Sequence, residues 1–259
     1  MNQNEPAISL TGIGKHYGDF EALKPTSLEI MPGEFFGFLG PNGAGKTTMI
    51  RIITGIIIPT CGTVRISGHD VAKDPDAAKR RIGYIPDRPY LYEKLTPLEY
   101  FEFVAGLYTL TDGLWRQRSE ELLKLFKLWE WRNELIESFS HGMKQKVAMC
   151  SAFLHDPDII IVDEPMVGLD PKSVRLVKDI FKEQVKKGKT IFLTTHTLSV
   201  AQDLCSRIGI ISRGSVIALG TIEALRIQSG SDSTDLESVF LKLTEEEAEE
   251  AMSHHPTPS

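Results

Sequence analysis

The run GPNGAGKTT, from Gly40 to Thr48, fits the pattern G-x-x-x-x-G-K-[ST] through Gly40, Gly45, Lys46 and Thr47. An apolar segment, FFGFL, comes before it and a helical pattern, MIRIITG, comes after. A glycine loop between a strand and a helix start presents successive backbone N–H groups as a concave nest at the positive helix end, where phosphate oxygens bind. Pro41, Asn42, Gly43, Ala44 and Thr48 complete that cradle. Lys46 has the reach for β- and γ-phosphates, and the Thr47 hydroxyl can ligate Mg²⁺. Phosphate chemistry of this kind also needs a carboxylate at the end of a neighbouring strand. IIIVDEP supplies Asp163 for the metal's water shell, and Glu164 beside it suits a general base for an attacking water. By itself an Asp-Glu pair after a strand is more often a helix cap, and the phosphate loop is what turns it into a catalytic candidate.

Positioning these groups requires an α/β core. From Ile8 to Ile66 short β-prone runs alternate with turn signals, and a helix is predicted to start at Lys46 and stop near Gly55 and Pro59. From Thr96 to about His155 the texture turns helical, with Leu122, Leu125, Phe126 and Trp129 spaced as one apolar stripe that belongs to a core. IIIV at Ile159 to Val162 and TIFLTTH at Thr190 to His196 then read as buried strands flanking a helix over Pro171 to Lys187, which predicts a parallel sheet. RIGIISRGSVIALG reads as a hairpin through Arg213 and Gly214. The expected fold class is α/β: a P-loop NTPase core with a mixed sheet, an N-terminal antiparallel β subdomain and an inserted α-helical lobe. The domain spans 8–243, with core segments of about 8–88 and 156–225 and the helical lobe at about 89–155.

Composition narrows the function. Hydrophobic residues at 41% and charged residues at 25% are ordinary for a globular chain of 259 residues. The longest apolar runs are far shorter than a membrane span, and the N-terminus does not read as a secretory signal, so a cytoplasmic location is expected. Cys61, Cys150 and Cys205 form no paired framework, which argues against disulfide and zinc-thiolate roles. The net charge is −6, but Glu245, Glu246, Glu247, Glu249 and Glu250 lie in the C-terminal stretch, leaving a nearly neutral body with no nucleic-acid footprint. Residues 244–259 read as an acidic, flexible tail, and His254 and His255 within it as solvated side chains.

With these motifs in order, the chain resembles the ATP-binding subunits of ABC transporters over about residues 8–243. The resemblance implies that Tyr17 in KHYGDFEAL stacks on adenine. It implies that FSHGM stands for the signature motif, with Ser140 and Gly142 at its serine and second glycine, while Phe139, His141 and Met143 depart from the usual letters. Asp170 in VGLD matches the D-loop, and His196 the switch histidine that contacts the γ-phosphate and orients water. Asp87 in GYIPD stands where the family has a Gln that senses Mg²⁺, so a shorter, charged group takes that place. LESVFLKLTEEE, with Lys144 and Gln145 after the signature, looks like a bacterial subgroup whose membrane subunits are separate polypeptides.

The implied function is a Mg²⁺- and ATP-dependent motor. Two copies, or this chain and a paralogous subunit, would close head to tail around two ATP and drive transmembrane permease subunits docked near residues 87–105, for export by subgroup resemblance. The alternative is a soluble ABC ATPase clamping ribosome or DNA. Such relatives usually carry two cassettes or a long coiled coil, and neither sustained heptads nor a basic tract is present here.

Overall fold

The computed structural model describes residues 5–230 and 235–253. In chain order the first part contains β1 (Ile8–Tyr17), β2 (Phe20–Ile30), β3 (Phe35–Leu39), α1 (Lys46–Ile53), β4 (Cys61–Ile66), β5 (His69–Asp70), α2 (Pro75–Arg80) and β6 (Ile82–Ile85). A helical stretch follows as α3 (Pro97–Leu107), α4 (Asp112–Leu125) and α5 (His141–Phe153). The chain then alternates through β7 (Ile159–Asp163), α6 (Pro171–Lys186), β8 (Thr190–Thr195), α7 (Leu198–Leu204), β9 (Arg207–Ser212) and β10 (Ser215–Gly220). Two helices, α8 (Ile222–Ser229) and α9 (Leu236–Ser253), complete the described residues.

The strands form two sheets, ordered β2-β1-β4-β5 and β10-β9-β3-β8-β7-β6. The smaller sheet is antiparallel throughout. In the larger one every neighbouring pair is parallel except the hairpin of β9 and β10. That hairpin turns through Arg213 and Gly214, both at positive φ, as a tight two-residue connection requires. Strands β3, β7 and β8 are buried along their whole length, which is why they read as unbroken apolar runs. On β3 the alternation sends Phe36 and Phe38 into a core shared with α1 and the small sheet, and Phe35 and Leu39 into one shared with α6 and α7. Phe192 of β8 packs against both Phe36 and Phe38 at ring separations of 5.6 and 5.7 Å. Interlocking of this kind fixes the carboxyl ends of β3, β7 and β8 relative to one another.

The helical stretch corrects the expected stripe. Helix α4 ends at Leu125, which is 43% exposed, and the wholly buried residues are Leu123 and Phe126. Trp129 lies beyond the helix in a short 3₁₀ turn, so a single helical period does not extend across Leu122 to Trp129. Helix α9 continues through Ser253, past residue 243, because the Glu- and Ala-rich run after Leu243 has high helix propensity. Leu236, Val239 and Leu243 bury its first turns. His254 and His255 lie outside the described residues.

His155 anchors the helical stretch to the core. Its ring stacks on Tyr108 at the end of α3, centroids 3.7 Å apart, and its Nε2–H donates to the Ile82 carbonyl on β6 at 3.0 Å. Burial pushes its pKa down to about 4, against an ordinary value of 6.5. Between these values the unfolded chain binds the proton and the folded chain does not, so stability from this group is present above pH 6.5 and is lost on acidification toward pH 4. Denaturant titrations at pH 7, 5.5 and 4.5 should therefore show wild type losing up to about 3 kcal/mol relative to His155→Phe. A pH-independent difference between the two proteins would exclude His155 as the titrating group.

Candidate active site

The carboxyl ends of β3 and β7 and the hairpin end of β1 and β2 meet around a cavity of about 410 Å³. Asn42, Gly43, Gly45, Lys46, Thr47 and Thr48 line one wall, and Asp87, Asp163 and Glu164 another. Tyr17 and Phe20 form the rim. Tyr17 is 48% exposed and Phe20 65%, so two aromatic rings stand ready for a flat partner. Phe20 escaped the motif reading because it follows the turn at Gly18. Only the β1–β2 pairing of Tyr17 with Phe20 brings it alongside.

The loop's shape follows from its glycines. A side chain at Gly40 would collide with the Ile211 carbonyl of β9, and Gly45 holds φ at 113°, a conformation closed to other residues without strain. Gly40, Pro41 and Ala44 are absent from the lining and act instead on the loop's course, with the Ala44 N–H donating to the Pro41 carbonyl at 3.2 Å. Lys46 is 7% exposed and donates to the Gly40 and Pro41 carbonyls at 2.6 and 3.1 Å. Burial lowers its pKa, while the charges of Glu164 and Asp163 oppose that shift. The resulting desolvated ammonium faces two carboxylates across a cradle of bare N–H groups, an arrangement that exchanges carbonyl partners for phosphate oxygens.

Asp163 is 4% exposed and accepts a hydrogen bond from the Thr194 hydroxyl at 2.5 Å. Burial raises its pKa, the Thr194 bond opposes this, and the negative charges of Asp87 and Glu164 raise it further. Glu164 sits at positive φ, 48°, with its N–H bonded to the Thr194 carbonyl. Its Oε2 accepts from the Thr195 hydroxyl at 3.1 Å and its Oε1 from His196 Nδ1 at 2.8 Å. A carboxylate only accepts, so His196 Nδ1 carries the proton of this bond. Thr194 and Thr195, invisible as chemistry in the sequence, thus orient the two acids through the β7–β8 register, in which Asp163 stands opposite Thr194.

Asp87 lines the cavity, and its Oδ1 also accepts the Arg88 N–H at 2.8 Å. For Mg²⁺ the donors fit: the Thr47 hydroxyl, a desolvated Asp163 and Asp87 surround one cavity. Among the described residues no group of three or more His, Cys, Asp or Glu side chains could hold an ion alone. Phosphate oxygens and waters would supply the remaining ligands, as is usual for this cation.

His196 is outside the cavity lining and reaches it through Glu164, and Ser140, Gly142 and Asp170 lie away from the cavity. Ser140 caps α5, its hydroxyl accepting the Met143 N–H at 3.3 Å, and Gly142 follows on the first turn. The His141 ring packs on Gly168, whose positive φ and lack of Cβ admit it. Asp170 caps α6, accepting from Lys172 N, Ser173 N and Ser173 Oγ. Those bonds, led by the one from the Ser173 hydroxyl, lower its pKa.

Residues 23–167 match the family model described as ABC transporter. A relative in Bacillus subtilis (strain 168), the ABC-type transporter ATP-binding protein EcsA, is 38% identical over 93% of this chain and 98% of its own. The chain belongs to the ABC transporter ATP-binding family. The linearmycin resistance ATP-binding protein LnrL of the same organism is also 38% identical, over 87% of this chain and 73% of its own. A solved ATP-binding subunit of an ABC transporter superposes with TM-score 0.87 at 34% identity, covering 92% of this chain and 99% of that one. The ATP-binding cassette MJ0796, solved as a dimer in a post-hydrolysis state with ADP and Pi, matches with TM-score 0.76 at 30% identity, covering 83% and 98%. This ABC subunit is thus a nucleotide-binding ATPase with the mixed α/β fold of its family.

Lys46→Ala removes a positioned charge that the N–H nest cannot replace. Turnover should fall by on the order of 10²-fold or more, together with nucleotide affinity. Wild-type turnover in purified Lys46→Ala, measured as phosphate release, would exclude the phosphate-loop assignment.

Proposed function

We propose that this ABC ATPase is the motor of an exporter, closing head to tail with a second copy or a paralogous subunit around two Mg²⁺-ATP. Separate transmembrane permeases would be its membrane partners. The observation that carries the reading is the division of the site. The phosphate loop, Asp163 and Glu164 meet at one cavity, with His196 bonded to Glu164, whereas Ser140 and Gly142 stand at an exposed helix start outside it. Such a helix start offers N–H groups and a hydroxyl to an anion, and that anion must then come from another molecule. Among the described residues no helix is long and apolar enough to cross a membrane, in keeping with permeases as distinct chains and a peripheral cytoplasmic location. The names of LnrL and of the daunorubicin resistance ATP-binding protein DrrA3 of Streptomyces coeruleorubidus, 35% identical, support export.

In this reading Tyr17 stacks on the adenine, the loop from Gly40 to Thr48 cradles the phosphates, and Lys46 holds the β- and γ-oxygens. Mg²⁺, held by Thr47 and Asp163 with Asp87 nearby, would neutralise phosphate charge. Glu164, aimed by Thr195 and His196, takes the proton of the attacking water, and His196 would contact the γ-phosphate, as the family resemblance implies. Asp170, fixed as a cap, serves the facing surface of the partner copy. Phosphate loss removes the charge that holds the two copies together and opens the dimer.

Two outcomes follow. Glu164→Gln keeps shape and removes basicity, so size-exclusion chromatography with Mg²⁺-ATP should show a dimer. A monomeric profile at high concentration with ATP demonstrably bound would refute the composite site. Asp87→Asn should lower ATPase activity, Asp87→Gln should retain more of it, and both should change the Mg²⁺ concentration giving half-maximal rate. Superimposable Mg²⁺ titrations of the three proteins would remove Asp87 from the metal site.

A further inference from the structure

Gln145, in the second turn of α5, is 1% exposed. Its amide nitrogen donates to the Pro86 carbonyl at 3.3 Å, and its amide oxygen is buried with no hydrogen-bond partner. An amide satisfied at one end is an expensive way to fill a core, since methionine has the same length and no polar atoms to desolvate. What the amide supplies is a tie between α5 and the segment leaving β6. That segment carries Asp87 directly after Pro86, on the wall of the nucleotide cavity. The Asp87 carboxylate is fastened to its own backbone through Arg88 N, so displacement of the carboxylate also displaces the peptide units on either side. At the other end of the tie, Ser140 caps the same helix less than two turns away. A second link, Lys144 to Glu93 at 2.7 Å, joins the same elements, but Glu93 is 48% exposed and solvent screens the pair. The Gln145 end of the other tie is buried, so solvent screens it less.

We infer that Gln145 is a positioning residue that couples the Asp87 edge of a chain's own nucleotide cavity to the Ser140 end of α5, and thereby couples one ATP site of the dimer to the other. The inference rests on the head-to-tail arrangement. In that arrangement Asp87 faces the nucleotide of its own chain, while Ser140 and Gly142 face the nucleotide held by the other copy. A rigid helix passes a shift at Pro86 to its own N-terminus, so nucleotide at the first site sets the donors of the second.

The test is Gln145→Met, with Gln145→Leu as a second apolar replacement should the first fail to fold. In the Glu164→Gln background with Mg²⁺-ATP, analytical ultracentrifugation should give a dimer dissociation constant raised about tenfold, the scale of one hydrogen bond. A fluorescent ATP analogue titrated into dilute monomer should report unchanged affinity. In the otherwise wild-type chain kcat should fall at constant KM and the Hill coefficient for ATP should drop toward 1. Parent-like dimerisation and cooperativity, or a parallel loss of monomer affinity, overturns the coupling role. A Glu164→Gln parent that binds ATP and stays monomeric overturns the head-to-tail reading, and the coupling with it. A dimeric parent with an unaffected Gln145 variant overturns the coupling alone.

Discussion

An ammonium group is held out of water at the point where the central strands end, and the surrounding structure answers to that constraint. Burial lowers the pKa of Lys46, the charges of Glu164 and Asp163 oppose that shift, and the Gly40 and Pro41 carbonyls accept its protons. Both carbonyls belong to the loop that Lys46 itself closes, so the side chain braces the loop it lines. The loop can take this course only because Gly40 is pressed against β9 and Gly45 adopts a φ that a side chain would strain. The loop's backbone is thereby preorganised, a main source of electrostatic stabilisation in such sites, and the exchange of partners is left to the Lys46 side chain.

The acids opposite are tuned by their supports. Asp163 is desolvated and Glu164 is held by two side chains, Thr195 and His196, at a positive φ. Strain at Glu164 is sustained because its N–H remains bonded to β8 and its carboxylate has two partners. The pair therefore has unequal environments: Asp163 is the more buried and bonds one threonine, while Glu164 is more accessible and bonds a threonine and a histidine. Division of labour between adjacent carboxylates arises from that difference.

The helical stretch shares one apolar core with the central strands and α6, and polar and ring contacts of distinct physical character add to it. His155 stacks and donates to β6, Gln145 donates to Pro86, and His141 rests on Gly168. Buried Val147, Met149, Cys150, Ala152 and Phe153 seat α5 in that core, while its start carries Ser140 and Gly142 at the surface. The same helix start does not line its own chain's cavity.

The local chemistry was legible because it is written in short, contiguous spacing. GPNGAGKTT and IIIVDEP identify their own strand ends, and the buried parallel strands betray themselves as unbroken apolar runs. Helix periods over Leu122 to Trp129 were misread because a helix end and a 3₁₀ turn interrupt the stripe, and turn boundaries leave a weak trace in hydrophobicity. Residues that act by meeting distant parts of the chain had no local signature. Phe20 joins Tyr17 only through the hairpin register, Thr194 and Thr195 reach the acids only through the pairing of β7 with β8, and Gln145 finds Pro86 only when α5 packs beside β6. Sequence alone determined which groups can hold phosphate and accept a proton, since those properties reside in side chains and adjacent backbone. Tertiary structure decided which of them share one cavity and which face outward, because that depends on strand register and helix packing between residues far apart in the chain.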